Sequence, residues 1–147
     1  MSEPYRTRRI GRSIGALFAG FLAVIILSIV TDMVLRASGF FPPLGQPMSD
    51  ALFLMALAYR TIYSVVGSYI VARLAPYRPM YHALLSGVVG LILSIVGVVT
   101  TWSKGPEFGP KWYPLALVVT AMPCAWAGGK LHSMQSRSAN VGNASIS

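Results

Sequence analysis

The chain has 147 residues, of which 54% are hydrophobic and only 11% are charged. Soluble domains carry about 25% charged residues, so this composition excludes an ordinary water-soluble fold and is typical of a lipid-facing surface. The net charge of +8 does not indicate nucleic-acid binding, because the basic residues flank apolar runs and fit topology signals and contacts with anionic lipids.

Four apolar runs follow one another along the chain, and each reaches the roughly 20 residues that a membrane-spanning helix needs. The predicted spans are residues 14–35, 51–74, 82–102 and 113–131. The sequence therefore predicts an all-α protein, a four-transmembrane-helix bundle that forms one domain over residues 1–132. Residues 133–147 are rich in Ser, Asn and Gly, which predicts a disordered cytoplasmic tail.

The distribution of Lys and Arg predicts the orientation of these spans. Eight basic residues flank the N-terminus, the turn between the second and third spans, and the C-terminal end of the fourth span, whereas three lie in the two other loops. By the positive-inside rule, both termini are expected in the cytoplasm, with the helices running up-down-up-down. The first run is too long for a signal peptide and lacks a small-residue cleavage motif, so we expect it to remain as a helix.

Asp32 lies in the first span, and Arg60 lies in the interior of the second span, whereas Arg73 lies at the end of the second span and counts as a flanking residue. Arg60 lies roughly 9 Å deeper than Asp32 at 1.5 Å per residue, which by itself would separate the two side chains. However, helical side chains lean toward their own N-terminus, and the two helices are expected to run in opposite directions, so the side chains approach each other. A charge at the bilayer centre costs about 2.5–3.5 kcal/mol, which favours pairing. We therefore predict an intramembrane ion pair, direct or bridged by water.

Polar residues accompany the predicted pair, and two interpretations stay open. These residues are Ser28 on the first span and Tyr59, Tyr63 and Ser64 on the second. In one interpretation they form a polar pocket that opens to the outer side and binds an anion or an anionic lipid headgroup through Arg60. In the other, the pair is an internal strut that fixes the register of the helices, as buried charges in small bundles often do.

The third span contains small residues on one face, at spacings of three and four. They are Ala83, Gly87, Gly90, Ser94, Gly97 and Thr101. Small residues let helices approach closely in lipid, so we interpret this stripe as a packing surface. A pore or substrate groove is the alternative interpretation.

The sequence lacks the residue sets that catalysis, metal binding or cofactor binding would require. It contains no metal-ligand motif, no paired intramembrane carboxylates and no Ser–His pair within one span. His82 and His132 fall at one depth, where two imidazoles could ligate haem, but both lie at the interface, where an imidazole needs no special partner. We therefore expect no enzymatic activity, no metal and no cofactor.

Two segments resemble small four-helix bacterial inner-membrane proteins that carry no assigned activity. They are AYRTIYSVVGSY at residues 58–69, followed by ARLAP, and WSKGP leading to WYP within residues 102–114. The resemblance implies a bacterial inner membrane and gives no substrate. Membrane glutathione-transferase-like proteins would have Glu before the intramembrane Arg, whereas Arg60 follows Tyr59. Small multidrug exporters would have Glu deep in the first span, which is aliphatic in this chain.

These observations lead to two functional hypotheses. The first is a non-enzymatic membrane protein that serves as an accessory or interaction subunit. The alternative is a small transporter or channel for an anion or anionic lipid that uses the Asp32 and Arg60 pocket and oligomerises, because four helices enclose little volume. Expected partners are membrane lipids, a second copy or another membrane protein, and no nucleic acid.

Overall fold

The computed structural model describes the backbone of residues 3–105 and 108–145, and the side chains from residue 7 onward. This part of the chain is all-α. Its helices are α1 (Glu3–Ala37), α2 (Asp50–Leu74), α3 (Pro79–Thr101) and α4 (Trp112–Ala144). Each of the four is long and apolar enough to span a membrane, which confirms the predicted class.

Two helices extend well beyond the predicted spans. α1 begins at Glu3 and includes the basic N-terminal segment, and α4 continues to Ala144. The disorder predicted for residues 133–147 therefore differs from the helix found over 133–144, while residues 146 and 147 lie outside the described part. Hydroxyl groups in this extension donate to carbonyl oxygens one turn earlier, as Ser133 does to Gly129. Serines bonded in this way are compatible with a helix, although composition alone suggests disorder.

α1 and α2 cross at two glycines that face each other. A Cβ atom on Gly20 would lie 2.7 Å from the Gly67 carbonyl oxygen, and one on Gly67 would lie 3.0 Å from the Gly20 carbonyl oxygen. The space beside them is filled by Val24 and Val71. This close approach of backbones is the usual way in which helices associate in lipid, where burial of apolar surface gives no net driving force.

α4 packs against α2 and α3 through further small residues. A Cβ atom on Gly128 would lie 2.6 Å from the Val65 carbonyl oxygen of α2. On the α3 side, a Cβ atom on Gly129 would lie 2.8 Å from the Cβ atom of Ala83, and one on Gly87 would lie 2.5 Å from that of Ala125. Helices α2, α3 and α4 thus form a three-helix unit.

α1 is attached to this unit almost entirely through α2 and has few contacts with α3. Among the described residues, a side-chain hydrogen bond between Ser13 and His82 connects α1 to α3, near the N-terminal end of both helices. Farther along α1, a cleft separates it from α3. The end of the bundle that contains residues 38–49 and 102–111 is called the loop end, and the opposite end the terminal end.

The small residues along α3 have different surroundings on the two sides of the point where the cleft begins. Ala83 and Gly87 are buried in the contact with α4. In contrast, a Cβ atom on Gly90 or Gly97 would meet nothing within 4 Å. At Gly90 and Gly97 the structure therefore does not show the close helix contact that the packing interpretation predicts, because no other helix lies against these two positions. Ser94, Gly97 and Thr101 line the cleft instead.

Candidate functional site

The Asp32 and Arg60 side chains meet between α1 and α2. Arg60 Nη2 donates to Asp32 Oδ2 at 2.8 Å, and the Tyr59 hydroxyl donates to Asp32 Oδ1. Both carboxylate oxygens therefore accept a hydrogen bond. The side chains of Arg60 and Asp32 are 33% and 26% exposed, so the pair lies at the edge of a cavity and not in a sealed core.

Arg60 retains hydrogen-bonding capacity that the described protein groups do not use. Its Nε atom is buried and has no hydrogen-bond partner among the described residues. The guanidinium carbon lies 5.9 Å from the centre of the Tyr113 ring, within the range of a cation–π contact. A buried N–H group without an acceptor is unfavourable by about 1–3 kcal/mol.

The other predicted site residues lie around the pair in different roles. Tyr63 forms a hydrogen bond of 2.7 Å with Thr31, a second polar link between α1 and α2. Ser64 donates to the Arg60 carbonyl oxygen one turn earlier, and both Ser28 and Ser64 line the cleft. The structure thus groups Asp32, Arg60 and Tyr59 directly and places the remaining three within one or two turns.

Three adjacent cavities lie along the helices from the loop end toward the middle of the bundle. The first, the vestibule, has a volume of about 400 Å³ and lies beneath residues 41–48. The second is the cleft between α1 and α3, with about 530 Å³. The third, the inner pocket, has about 110 Å³ and lies deeper between all four helices.

Shared lining residues show that these cavities lie next to one another. Asp32, Arg60, Phe108 and Tyr113 line both the vestibule and the cleft, so the ion pair lies between the two. The cleft and the inner pocket share residues from all four helices. These are Val24, Ser64, Ser94 and Leu117.

The adjacent cavities have an apolar rim on one side and a closed inner end. Ile25 and Ile29 of α1 and Leu93 of α3 line the cleft and are each more than half exposed, so the cleft opens between these helices onto the lipid-facing surface. Toward the terminal end, Ala72 and Ala83 are fully buried and close the packing. The arrangement is a blind cleft that opens laterally, with a polar cluster at its loop end.

Three residues of the site were not predicted from the sequence. Arg36 and Phe108 line the vestibule, and Tyr113 lies beside Arg60. In the sequence, Tyr113 fits an aromatic belt as well as it fits a site, and Arg36 resembles an ordinary basic residue that flanks a span. A signal for Arg36 is its position one helical turn after Asp32, on the same face of α1.

His82 lies in an environment that corrects the expectation of an interfacial imidazole without a partner. His82 is only 2% exposed, and its side chain is the largest of the described side chains that are almost fully buried. Its Nε2 atom lies 2.9 Å from Ser13 Oγ, and its Nδ1 atom lies 3.3 Å from the Arg78 carbonyl oxygen. Arg78 itself has a left-handed backbone, with φ of 43°, before Pro79. His132 instead packs edge-on against the Tyr69 ring, so the two histidines have different partners.

The contact between Ser13 and His82 links α1 to α3 at the terminal end. The Ser13 hydroxyl also lies 3.0 Å from the Arg9 carbonyl oxygen, to which it donates. His82 is buried, and neither residue lines any of the cavities described above.

Replacing His82 with alanine should destabilise the bundle by about 2–4 kcal/mol, because it opens a cavity and removes the link to α1. His132→Ala is the matched control and should change stability by less than about 1 kcal/mol. Unfolding in mixed detergent micelles, followed by tryptophan fluorescence, measures both variants. Equal effects of the two substitutions would contradict the buried, bonded role of His82.

The composition of the site limits its chemistry. Among the side chains of residues 7–105 and 108–145, no three His, Cys, Asp or Glu residues come close enough to hold a metal ion. Cys124 is buried and reduced within α4. No family model matches the chain, and comparison with curated proteins and with solved structures also finds no match.

Proposed function

We propose that this chain is a non-catalytic membrane protein that binds a membrane amphiphile, with the apolar chain of the ligand in the cleft between α1 and α3. The observation that carries the proposal is that three adjacent cavities extend along the helices, with the Asp32 and Arg60 pair between the vestibule and the cleft. The cleft volume of about 530 Å³ falls within the range of about 300–1,000 Å³ that is typical of small-molecule sites.

The lateral opening supports a ligand that arrives from the bilayer. The rim residues of the cleft are apolar and belong to helices long enough to span a membrane. Water does not reach such a rim in the hydrocarbon region, so a lipid chain is its natural occupant. The polar groups lie at the loop end, where a headgroup would meet them.

We further propose an up-down-up-down bundle with both termini in the cytoplasm of a bacterial cell and the loop end on the outer side of the inner membrane. The excess of Lys and Arg at the terminal end supports this orientation. Contacts of Asp32 with Arg60 and of Gly20 with Gly67 fit oppositely directed α1 and α2. In this orientation the bound lipid comes from the outer leaflet.

The blind inner end of the cleft favours binding over passage through one copy of the chain. A channel or transporter would need an opening toward the terminal end, where Ala72 and Ala83 are fully buried. The accessory-subunit hypothesis is compatible with lipid binding, since a partner could receive the lipid or cover the rim. A partner helix that fills the cleft permanently is a competing arrangement.

Gly97→Leu should prevent the apolar chain of the ligand from binding, because the added side chain fills the cleft. It should not disturb the fold, because a Cβ atom on Gly97 meets nothing within 4 Å. Overpacking of about 1–3 kcal/mol corresponds to a loss of about tenfold or more in occupancy. Gly15→Leu is the matched control, since Gly15 also has open space around it and lies outside the cleft.

Photoactivatable phospholipids with a diazirine in the acyl chain provide the measurement. In vesicles that contain the wild-type protein, labelling should concentrate on the facing residues of α1 and α3, and Gly97→Leu should reduce it whereas Gly15→Leu should not. Even labelling around all four helices, unchanged by Gly97→Leu, would contradict the proposal. Cleft labelling that appears only after a partner protein is removed would favour the partner-helix arrangement instead.

A further inference from the structure

We infer that the vestibule binds the headgroup of the lipid and that this headgroup is a phosphodiester with a single negative charge, held by Arg36 and Arg60. This inference rests on the proposed binding of an amphiphile in the cleft, and it adds the chemical class of the headgroup. It follows from the charges that line the vestibule, the remaining donors of Arg36 and the pairing of Asp32 with Arg60.

The charge of the vestibule matches a monoanion. Its charged lining residues are Asp32, Arg36 and Arg60, so its described lining has a net charge of +1. A phosphodiester has one negative charge and neutralises this lining. A doubly charged phosphomonoester would leave excess negative charge in a site that is partly surrounded by lipid, which is unfavourable.

The hydrogen-bonding groups favour a ligand that accepts hydrogen bonds. Arg60 Nη2 is bonded to Asp32, and the Arg60 side chain is 33% exposed. Arg36 Nη1 donates to the Pro42 carbonyl oxygen, which holds this side chain at the vestibule wall and leaves its other N–H groups for a ligand. Arginine guanidinium groups bind phosphate oxygens with short, charge-assisted hydrogen bonds.

Asp32 acts here as a positioning residue. Its two oxygens each accept one hydrogen bond, from Arg60 and Tyr59, so the carboxylate already has a cationic partner. A zwitterionic headgroup has no net charge and would leave the charge of the vestibule lining at +1. Phe41, Phe108 and Tyr113 are among the other lining residues, and their aromatic side chains suit the glycerol and upper chain of a lipid.

The adjacency of vestibule and cleft places one lipid across both. A headgroup between Arg36 and Arg60 lies beside both cavities, because Asp32, Arg60 and Tyr113 line both. The acyl chain then continues into the cleft beside Ser28 and Gly97. A free phosphate ion would satisfy the arginines but would leave the cleft unused.

Thermal unfolding of the purified full chain in neutral detergent, with added dioleoyl lipids, tests the inference, because a ligand that binds the folded state raises Tm. Dioleoylphosphatidylglycerol should raise Tm more than dioleoylglycerol, which has the same chains without phosphate, and more than dioleoylphosphatidylcholine. In Arg36→Gln, dioleoylphosphatidylglycerol should no longer raise Tm more than dioleoylglycerol does, while the rise in Tm with dioleoylglycerol should remain. Arg73→Gln is the matched control, because it removes one exposed positive charge away from the vestibule.

A second pair of variants keeps the test independent of the Arg36 bond to Pro42. Leu44 lines the vestibule and is 83% exposed, so its replacement disturbs no packing. Leu44→Glu should abolish the phosphatidylglycerol advantage by adding a negative charge, whereas Leu44→Gln should retain it.

The possible outcomes separate the inference from the proposed function. Equal Tm shifts for phosphatidylglycerol and dioleoylglycerol would overturn the headgroup inference and leave chain binding intact. If Arg36→Gln and Arg73→Gln reduced the Tm rise with phosphatidylglycerol equally, the inference would also be overturned, because this result would indicate non-specific electrostatic attraction between the protein and the anionic lipid. An equal shift with inorganic phosphate alone would indicate a free-anion site and overturn the lipid assignment. If none of the three lipids raised Tm, the proposed function would fail together with the inference.

Discussion

Arg60→Ala is expected to lower the free energy of unfolding by about 3 kcal/mol, between the small effect of exposed ion pairs and the larger effect of buried ones. The substitution removes the partner of Asp32 and leaves a partly buried carboxylate that only Tyr59 still contacts. It also removes the cation from the Tyr113 ring. Unfolding of the variant in mixed micelles of a neutral and a denaturing detergent measures this effect.

The double variant Asp32→Asn with Arg60→Gln is the control for this prediction. It removes both charges and keeps amide groups that can bond to each other, so it should be clearly more stable than Arg60→Ala. The difference identifies the uncompensated carboxylate as the source of the instability. If the double variant were as unstable as Arg60→Ala, the uncompensated carboxylate would not be the source of the instability.

Gly67→Leu is expected to separate α1 from α2 and to destabilise the bundle by about 3 kcal/mol or more, the upper range for overpacking. A side chain at this position would collide with Val24 and with the Gly20 backbone. Because α1 is attached to the other helices almost entirely through α2, the clash has no alternative contact to compensate it. The free energy of unfolding and the distance between spin labels on exposed sites of α1 and α2 both report the loss.

Gly90→Leu provides the matched control for the glycine crossing. Gly90 also lies within a predicted span, but a Cβ atom on it meets nothing within 4 Å. This variant should therefore retain the spacing of α1 and α2 and remain within about 1 kcal/mol of the wild type. If Gly67→Leu were tolerated as well as Gly90→Leu, the crossing would be loose and not a close backbone contact.

The sequence was sufficient to predict features that depend on local geometry. The length and apolarity of the runs identify four spanning helices, because both properties are set by the thickness of the bilayer. The lean of helical side chains predicts that Asp32 and Arg60 approach each other, and the structure places their atoms 2.8 Å apart. Both arguments need only the helix and its direction.

Features that depend on the choice of neighbours could not be predicted in this way. The small residues of α3 look alike along the sequence, yet Gly87 contacts α4 and Gly97 faces an open cleft. His82 and His132 also look alike, and only the position of Ser13 on α1 gives His82 its partner. A periodic pattern states which residues share a face but not whether another helix covers that face.

The pairing of Arg60 with Asp32 has a consequence for how the chain enters the membrane. Within the described residues, the carboxylate that pairs with Arg60 lies on the preceding helix, so α2 alone would expose an uncompensated cation to acyl chains. Such exposure costs about 2.5–3.5 kcal/mol on insertion scales. We therefore expect α1 and α2 to leave the translocon together as a helical hairpin. Asp32 is synthesised before Arg60, so its carboxylate is in place to pair with the guanidinium group when α2 enters the bilayer.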